Sequence, residues 1–286
     1  MKNIKFSILL LVLLSLIFSG CTNGISVSNE NSTESNKLVV HYIDVGQGDC
    51  ELIQINNKNL LIDAGTTEST NTVIDYLKKQ GITKLDYVIA THPHEDHIGG
   101  MAKVIKTFDI GSFYAPAITT NTKTFENMVS ALKKKNMKIQ TAKSDVSLDL
   151  GINTECKFLA PVSKKYADND LNLYSAVVKI TYGTTKFLFT GDAQKLNEKE
   201  MTDKNFDVSA DVLKVGHHGS HTSTSTEFLN KVSPKIAIIS CGVNNDYGHP
   251  HKETLDSLKK AKCTIYRTDK DGTIIIESDG KNIVKK

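Results

Sequence analysis

Three imidazoles and a carboxylate fall within six residues of Thr91-His92-Pro93-His94-Glu95-Asp96-His97-Ile98-Gly99-Gly100. Such crowding is costly unless a cation holds the groups together. Neutral imidazole nitrogens with carboxylate oxygens suit zinc or manganese. His92 and His94, two apart in an extended loop, can face one metal. Asp96 and His97, adjacent at a helix start, can face a second. Gly99 and Gly100 let the backbone pack closely behind them. A solvated polar loop is the plain alternative.

Further donors follow downstream. Asp192 comes after a strand in Phe189-Thr190-Gly191-Asp192, where its two oxygens can bridge two cations, although Gly-Asp is also a common turn. His217 and His218 close another apolar run before Gly219-Ser220. His249 and His251 flank Pro250, and one of them, His249 in preference, is expected to complete the second metal site; a capped turn before the helix at 252 is the alternative. Asp63 after Leu-Leu-Ile is expected to brace the ligand loop through hydrogen bonds rather than bind metal. The roles of Asp44 and Asp49, beside a Gly-rich turn, stay open. His41, alone in an alternating strand, reads as structural. Ser220, His221, Thr222 and Ser223 either line a substrate groove or cap the next helix.

These residues need a scaffold, and the chain alternates strand-like with helix-like segments. Short β-rich runs cover 38–45, 51–55 and 59–62. Val73, Ile74 and Leu77 have helical spacing over 70–80, which Gly81 stops. The apolar run 85–90 suits a buried strand feeding the histidine cluster. Helices are expected over about 96–106 and 124–136. The second half continues with strands at 176–182 and 186–190, a helix near 193–204 and a strand at 211–215. It ends with a helix at 225–231, a strand at 235–240, a helix at 252–261 and strands near 264–267 and 273–277. One mixed α/β domain over 38–286 accounts for the pattern.

Residues 1–20 read as a signal peptide: Lys2 and Lys5 precede an apolar run from Phe6 to Phe18, shorter than a typical membrane span. Ser19-Gly20-Cys21 resembles a lipobox, which implies a mature chain starting at a lipid-bearing Cys21 anchored to the membrane outside the cytoplasm. Ordinary secretion is the alternative. Residues 21–37, rich in Ser, Asn, Thr and Glu, read as a tether. Without Lys2 and Lys5 the chain carries 33 basic and 32 acidic residues. A global basic field is excluded, so a nucleic-acid partner would be held by a local site. Cys50, Cys156, Cys241 and Cys263 lack zinc-finger spacing and read as buried thiols.

The HxHxDH cluster resembles the signature of the metallo-β-lactamase superfamily. His41-Tyr42-Ile43-Asp44-Val45-Gly46-Gln47-Gly48-Asp49, Leu61-Ile62-Asp63-Ala64-Gly65 and Phe189-Thr190-Gly191-Asp192 narrow the resemblance to the extracytoplasmic hydrolase domain of ComEC competence-channel proteins. So do Leu213-Lys214-Val215-Gly216-His217-His218-Gly219-Ser220 and Tyr247-Gly248-His249-Pro250-His251. Phosphorylcholine esterases share parts of the pattern. The resemblance covers essentially 38–286 and implies an αββα sandwich with metals at one sheet edge. Many superfamily members carry a histidine between the cluster and the bridging aspartate. None lies between His97 and His217 here, and Asn172 occupies that slot. The expected compensation is that His217 or His218, with His218 preferred, completes the first site while the other donates a proton to the leaving group.

Two divalent ions, zinc or manganese, roughly 3.5–4 Å apart would then share Asp192 and activate a water near neutral pH. Asp96, Asp192 and His217 are the residues expected in the chemistry itself. The resemblance implies a phosphodiester substrate, DNA first. A small cell-surface phosphoester such as phosphorylcholine is the alternative, and a non-catalytic polymer-binding protein is a third reading.

Overall fold

The computed structural model describes residues 37–166 and 170–286. The expected signal peptide, Cys21 and the tether up to residue 36 lie outside them. In sequence order the chain forms β1 (Leu38–Tyr42), β2 (Glu51–Ile55), β3 (Lys58–Ile62), β4 (Lys84–Ile89), β5 (Asp109–Ala115) and β6 (Ile139–Thr141). It continues with β7 (Ser147–Leu148), β8 (Thr154–Ala160), β9 (Val177–Tyr182), β10 (Thr185–Phe189), β11 (Val212–Lys214), β12 (Ile236–Ile239) and β13 (Thr264–Arg267). Then β14 (Ile274–Ser278) and β15 (Ile283–Lys285) return to the first sheet. The sheet orders are β15-β14-β1-β2-β3-β4-β5-β6 and β13-β12-β11-β10-β9-β8-β7.

Side-chain alternation with period two explains why these sheets stack. In β10, Phe187 and Phe189 enter the layer between the sheets, where Tyr42 and Phe158 also pack, while Leu188 points to the opposite face. The outer faces are covered by amphipathic helices. Over the first sheet lie α1 (Thr70–Lys79), α2 (Glu95–Ile98), α3 (Met101–Thr107) and α4 (Lys123–Lys134). Their Leu77, Met101, Ile105 and Phe125 pack with Leu61 and Val88. Over the second lie α5 (Lys195–Asp203), α6 (Thr226–Val232) and α7 (Lys252–Lys260), whose Met201, Phe228 and Leu258 pack with Leu188 and Leu213. A short α8 (Thr268–Asp271) follows β13. The result is the expected αββα sandwich.

The single helix expected over 96–106 is two, α2 and α3, meeting at Gly99-Gly100. A Cβ on Gly99 would lie 2.2 Å from the Thr67 nitrogen, and one on Gly100 would lie 2.4 Å from the Ala64 carbonyl oxygen. Neither position admits a larger residue without moving backbone, which fixes the ligand loop on the loop after β3. His41 takes the structural part expected of it, bonding Tyr76 Oη at 2.8 Å and Gln54 Oε1 at 3.0 Å on the helix side. Among the described residues the cysteines are free, with Cys50, Cys156 and Cys241 buried.

Strands β3 to β6 run parallel to one another, as do β10 to β13. In such sheets the carboxyl ends of strands are where ligands gather. The chemistry-bearing segments all leave from those ends: 91–97 after β4, 190–192 after β10 and 216–220 after β11.

Candidate metal centre

Asp192 stands between two donor groups and offers one oxygen to each. His92 Nε2 is 3.6 Å from its Oδ2, and His94 Nδ1 is 2.9 Å from His92 Nε2. On the other side His97 Nε2 and His218 Nε2 lie 3.3 and 3.5 Å from Oδ1, with Asp96 Oδ2 3.2 Å from His218 Nε2. His92, His94 and Asp192 thus form one set of donors within 4.8 Å of one another, and Asp96, His97 and His218 form another.

His217 and His218 reach these places through an unusual backbone. Both have positive φ, 50° and 53°, a left-handed conformation that disfavours side chains with a Cβ. The His217 amide donates to the Gly191 carbonyl at 2.9 Å, tying this turn to the Asp192 loop. Imidazole contacts fix the rings: His218 Nδ1 to the Ser240 carbonyl oxygen and His217 Nδ1 to Thr222 Oγ1, both 3.0 Å.

Two groupings differ from the sequence expectation. His218, expected with His92 and His94, faces Asp96 and His97 instead. It is His217 whose Nε2 lies on the first side, 3.5 Å from Asp192 Oδ2. The reversed order follows from the left-handed pair, which turns successive imidazoles to different sides. His249, expected with Asp96 and His97, belongs to neither donor set. Its ring stands 5.4 Å from that of His217 and 6.1 Å from that of His218. His251 turns away to pair with His221, their Nδ1 atoms 3.0 Å apart. Asn172 lines the same cleft, with its Oδ1 buried and unpartnered.

Burial and mutual charge set the electrostatics. Burial lowers the His218 pKa, yet Asp192 and Asp49 more than offset this and bring it to about 10. His97 shows the same contest: burial opposes its protonation, but Asp192, Asp96 and Asp63 hold its pKa well above the ordinary value. Burial, reinforced by His97, leaves His92 well below the usual range. For Asp192, burial is overcome by His97 and His218, and its pKa falls well below the carboxylate norm. His97 and His218 thus hold protons that a cation would displace, while His92 and Asp192 stand ready as unprotonated donors.

A second layer braces the donors. Asp63 accepts from the Thr91 amide at 2.8 Å and from Thr91 Oγ1 at 2.6 Å, and meets His97 Nδ1 at 2.7 Å. It takes the bracing position anticipated for it. Asp63→Asn is expected to weaken metal affinity about 10–100-fold, as loss of an outer-layer partner typically does. Competition titration with a coloured chelator reads this out; unchanged affinity would refute the bracing role. Asp49, left open by the sequence, is buried beneath the site. It contacts His218 Nδ1 at 3.3 Å and pairs with Lys214 Nζ at 2.8 Å. Glu51 lies in the same buried group. Burial and the nearby Asp49 keep its carboxyl protonated well above the normal range.

The donor set fits divalent cations. His97 Nε2, His218 Nε2 and Asp192 Oδ1 are all buried without a hydrogen-bond partner, a situation proteins avoid unless another ligand is served. They converge on one another from three loops.

The model of the metallo-beta-lactamase superfamily matches residues 43–243, and the chain belongs to that superfamily as a metal-dependent hydrolase of its fold. Within it the chain is ComEC-like. It is 32% identical over 82% of its length to ComE operon protein 3 of Bacillus subtilis, and 31% identical over 84% to competence protein ComA of Neisseria gonorrhoeae. It is 30% identical over 82% to recombination protein 2 of Haemophilus influenzae. The chain spans about a third of the length of these relatives (32%, 32% and 28%). Among solved structures, the metallo-beta-lactamase fold protein YhfI from Bacillus subtilis shares the fold, with TM-score 0.57 and 16% identity. The match covers 85% of this chain and 100% of that one.

Proposed function

We propose that the protein is a two-metal phosphodiesterase that cleaves DNA outside the cytoplasm. The observation that carries this reading is the shared carboxylate: Asp192 presents separate oxygens to two sets of donors. His92, His94 and Asp192 would hold one cation, and Asp96, His97, His218 and Asp192 the other, zinc or manganese in each place. When bound, the pair supplies Lewis acidity for a phosphoryl group and a water acidic enough to attack near neutral pH.

The remaining steps belong to the chain. Asp63 and the Ser240 carbonyl keep His97 and His218 aimed inward. The cleft over the site, about 450 Å³, is bounded by residues such as Thr66, Glu95, Asn172 and Tyr247. His217 lines that cleft, and its side chain is 21% exposed, so its Nε2 is placed to give a proton to the departing oxygen. His217→Ala is accordingly expected to slow a substrate with a poor leaving group far more than one releasing p-nitrophenolate. Equal slowing of both would remove the proton-donor role.

The DNA assignment is supported by the sequence relatives, a competence protein and a recombination protein among them. No helix among the described residues is long and apolar enough to cross a membrane. Attachment is assigned to lipid on Cys21 on the strength of the lipobox-like Ser19-Gly20-Cys21. The test is cleavage of linear single- and double-stranded DNA by the purified chain with zinc, manganese or chelator. Metal-dependent cutting that weakens steeply with added salt is expected, because a polyanion releases counterions on binding. Intact DNA in the presence of folded, metal-loaded protein would end the nuclease reading. A small phosphoester such as phosphorylcholine would then become the substrate to test.

A further inference from the structure

Resting on the nuclease reading, we infer that Tyr247 is a stacking platform for an unpaired base next to the scissile phosphate, so that the substrate is a single strand. Tyr247 is 66% exposed, unusual for a large aromatic side chain, and it lines the cleft over the donor groups. Its ring lies nearly parallel to that of His249, 19° between planes and 5.6 Å between centroids. His249 in turn meets the ring of His217, whose Nε2 is 3.5 Å from Asp192. Tyr247 and two imidazoles therefore lead from solvent to the shared carboxylate.

The loop that presents Tyr247 is braced. Asn245 Nδ2 donates to the carbonyls of Gly242 and His249 at 2.9 and 2.7 Å, and its Oδ1 accepts from the His249 amide at 2.9 Å. The Gly242 amide donates to Gln47 Oε1 at 3.0 Å, joining the loop to the Gly-rich turn after β1. An aromatic ring held out by such bracing loses little freedom when a flat partner settles on it. Every base has a π-face, so such a platform tolerates any sequence. A base inside a duplex is already stacked on both sides, which restricts the platform to unpaired ends and single strands.

A quaternary ammonium is the other cleft occupant with affinity for aromatic faces, but it is held by cages of several rings. Tyr247 is the one ring besides imidazoles among the described residues lining this cleft.

The test uses the full chain, its Tyr247→Ala and Tyr247→Phe variants, and single-stranded oligonucleotides with either a base or an abasic sugar beside the cut. With manganese, wild type and Tyr247→Phe are expected to show a KM roughly five- to hundredfold lower for the base-bearing strand, in line with single-base stacking. Tyr247→Ala is expected to treat the two strands alike. With chelator, emission of 2-aminopurine at that position should be quenched by wild type and Tyr247→Phe and not by Tyr247→Ala. An alanine variant that keeps both the preference and the quenching overturns the proposal while leaving the nuclease reading intact. So does one that loses only affinity for p-nitrophenyl phosphorylcholine, which would put a quaternary ammonium on the ring. Wild-type protein that cuts no DNA removes the nuclease reading and this proposal together.

Discussion

Asp192→Ala is expected to lower turnover by about a thousandfold or more, beyond the 10–100-fold typical of losing an outer-layer partner. The reason is position. Asp192 is buried at 1% exposure, and each of its oxygens serves a different donor set, so one truncation opens both. The neighbours then repel. His97 and His218 keep pKa values raised by this carboxylate, and without it they face each other with less compensation. Metal content by mass spectrometry should fall with activity, which distinguishes lost cations from a misplaced substrate. A variant that keeps its metals and its turnover would show that the shared carboxylate is not the centre of the site.

Lys214→Met is expected to destabilise the fold by about 3–5 kcal/mol, even in chelator, because it leaves the buried Asp49 charge without its partner. Both side chains are 1% exposed and 2.8 Å apart. Burial alone would favour neutral groups; Asp49 and Glu51 instead raise the Lys214 pKa, while Lys214 and His218 hold Asp49 ionised. For a domain of this size the loss corresponds to a melting temperature lower by roughly 6–20 °C. Asp49→Asn combined with Lys214→Met should regain much of the stability, since removing both charges also removes the burial penalty. It should not regain full metal affinity, because His218 loses its Asp49 contact. Urea unfolding of the single variant within about 1 kcal/mol of wild type would contradict the pair's importance.

The sandwich was legible where a strand is buried and regular. The run at 85–90 and the paired strands around Gly183 have apolar residues at every or every second position, and they form β4, β9 and β10. Strands β5 to β8 escaped notice for physical reasons. β5 begins with polar and small residues, Asp109, Gly111 and Ser112, because its first half lies at the sheet surface. β6 is exposed along its whole length, and β7 has only two residues. In β8, Lys157 interrupts the apolar sequence between Cys156 and Phe158, which enter the layer between the sheets, while Leu159 and Ala160 are also buried. The donors of 92–97 were readable because imidazoles and carboxylates crowd there in sequence, and Asp63 as their brace; how the distant histidines group around Asp192 was not. The exchange of His217 and His218 depends on two left-handed residues, which no spacing rule reveals. Lys214 carried an overlooked signal. Val212 faces the inter-sheet layer and Leu213 the helices, so period two puts the lysine inside the sandwich.

The first sheet is closed by its most distant parts: Leu38 pairs with Ser278, 240 positions later in the chain. The donors are also divided, with His92 to His97 leaving the first sheet and Asp192 to His218 the second. Contacts of such long range form slowly, since loop entropy must be met before they bring any gain. Hydrolysis thus has a latency written into its topology. A chain that ends before β10 carries only the donors of the first sheet, and one that ends before β14 carries all of them but lacks the strand that pairs with β1. On the nuclease reading, cutting therefore waits until the donors of 92–97 and those of 192–218 have been brought together.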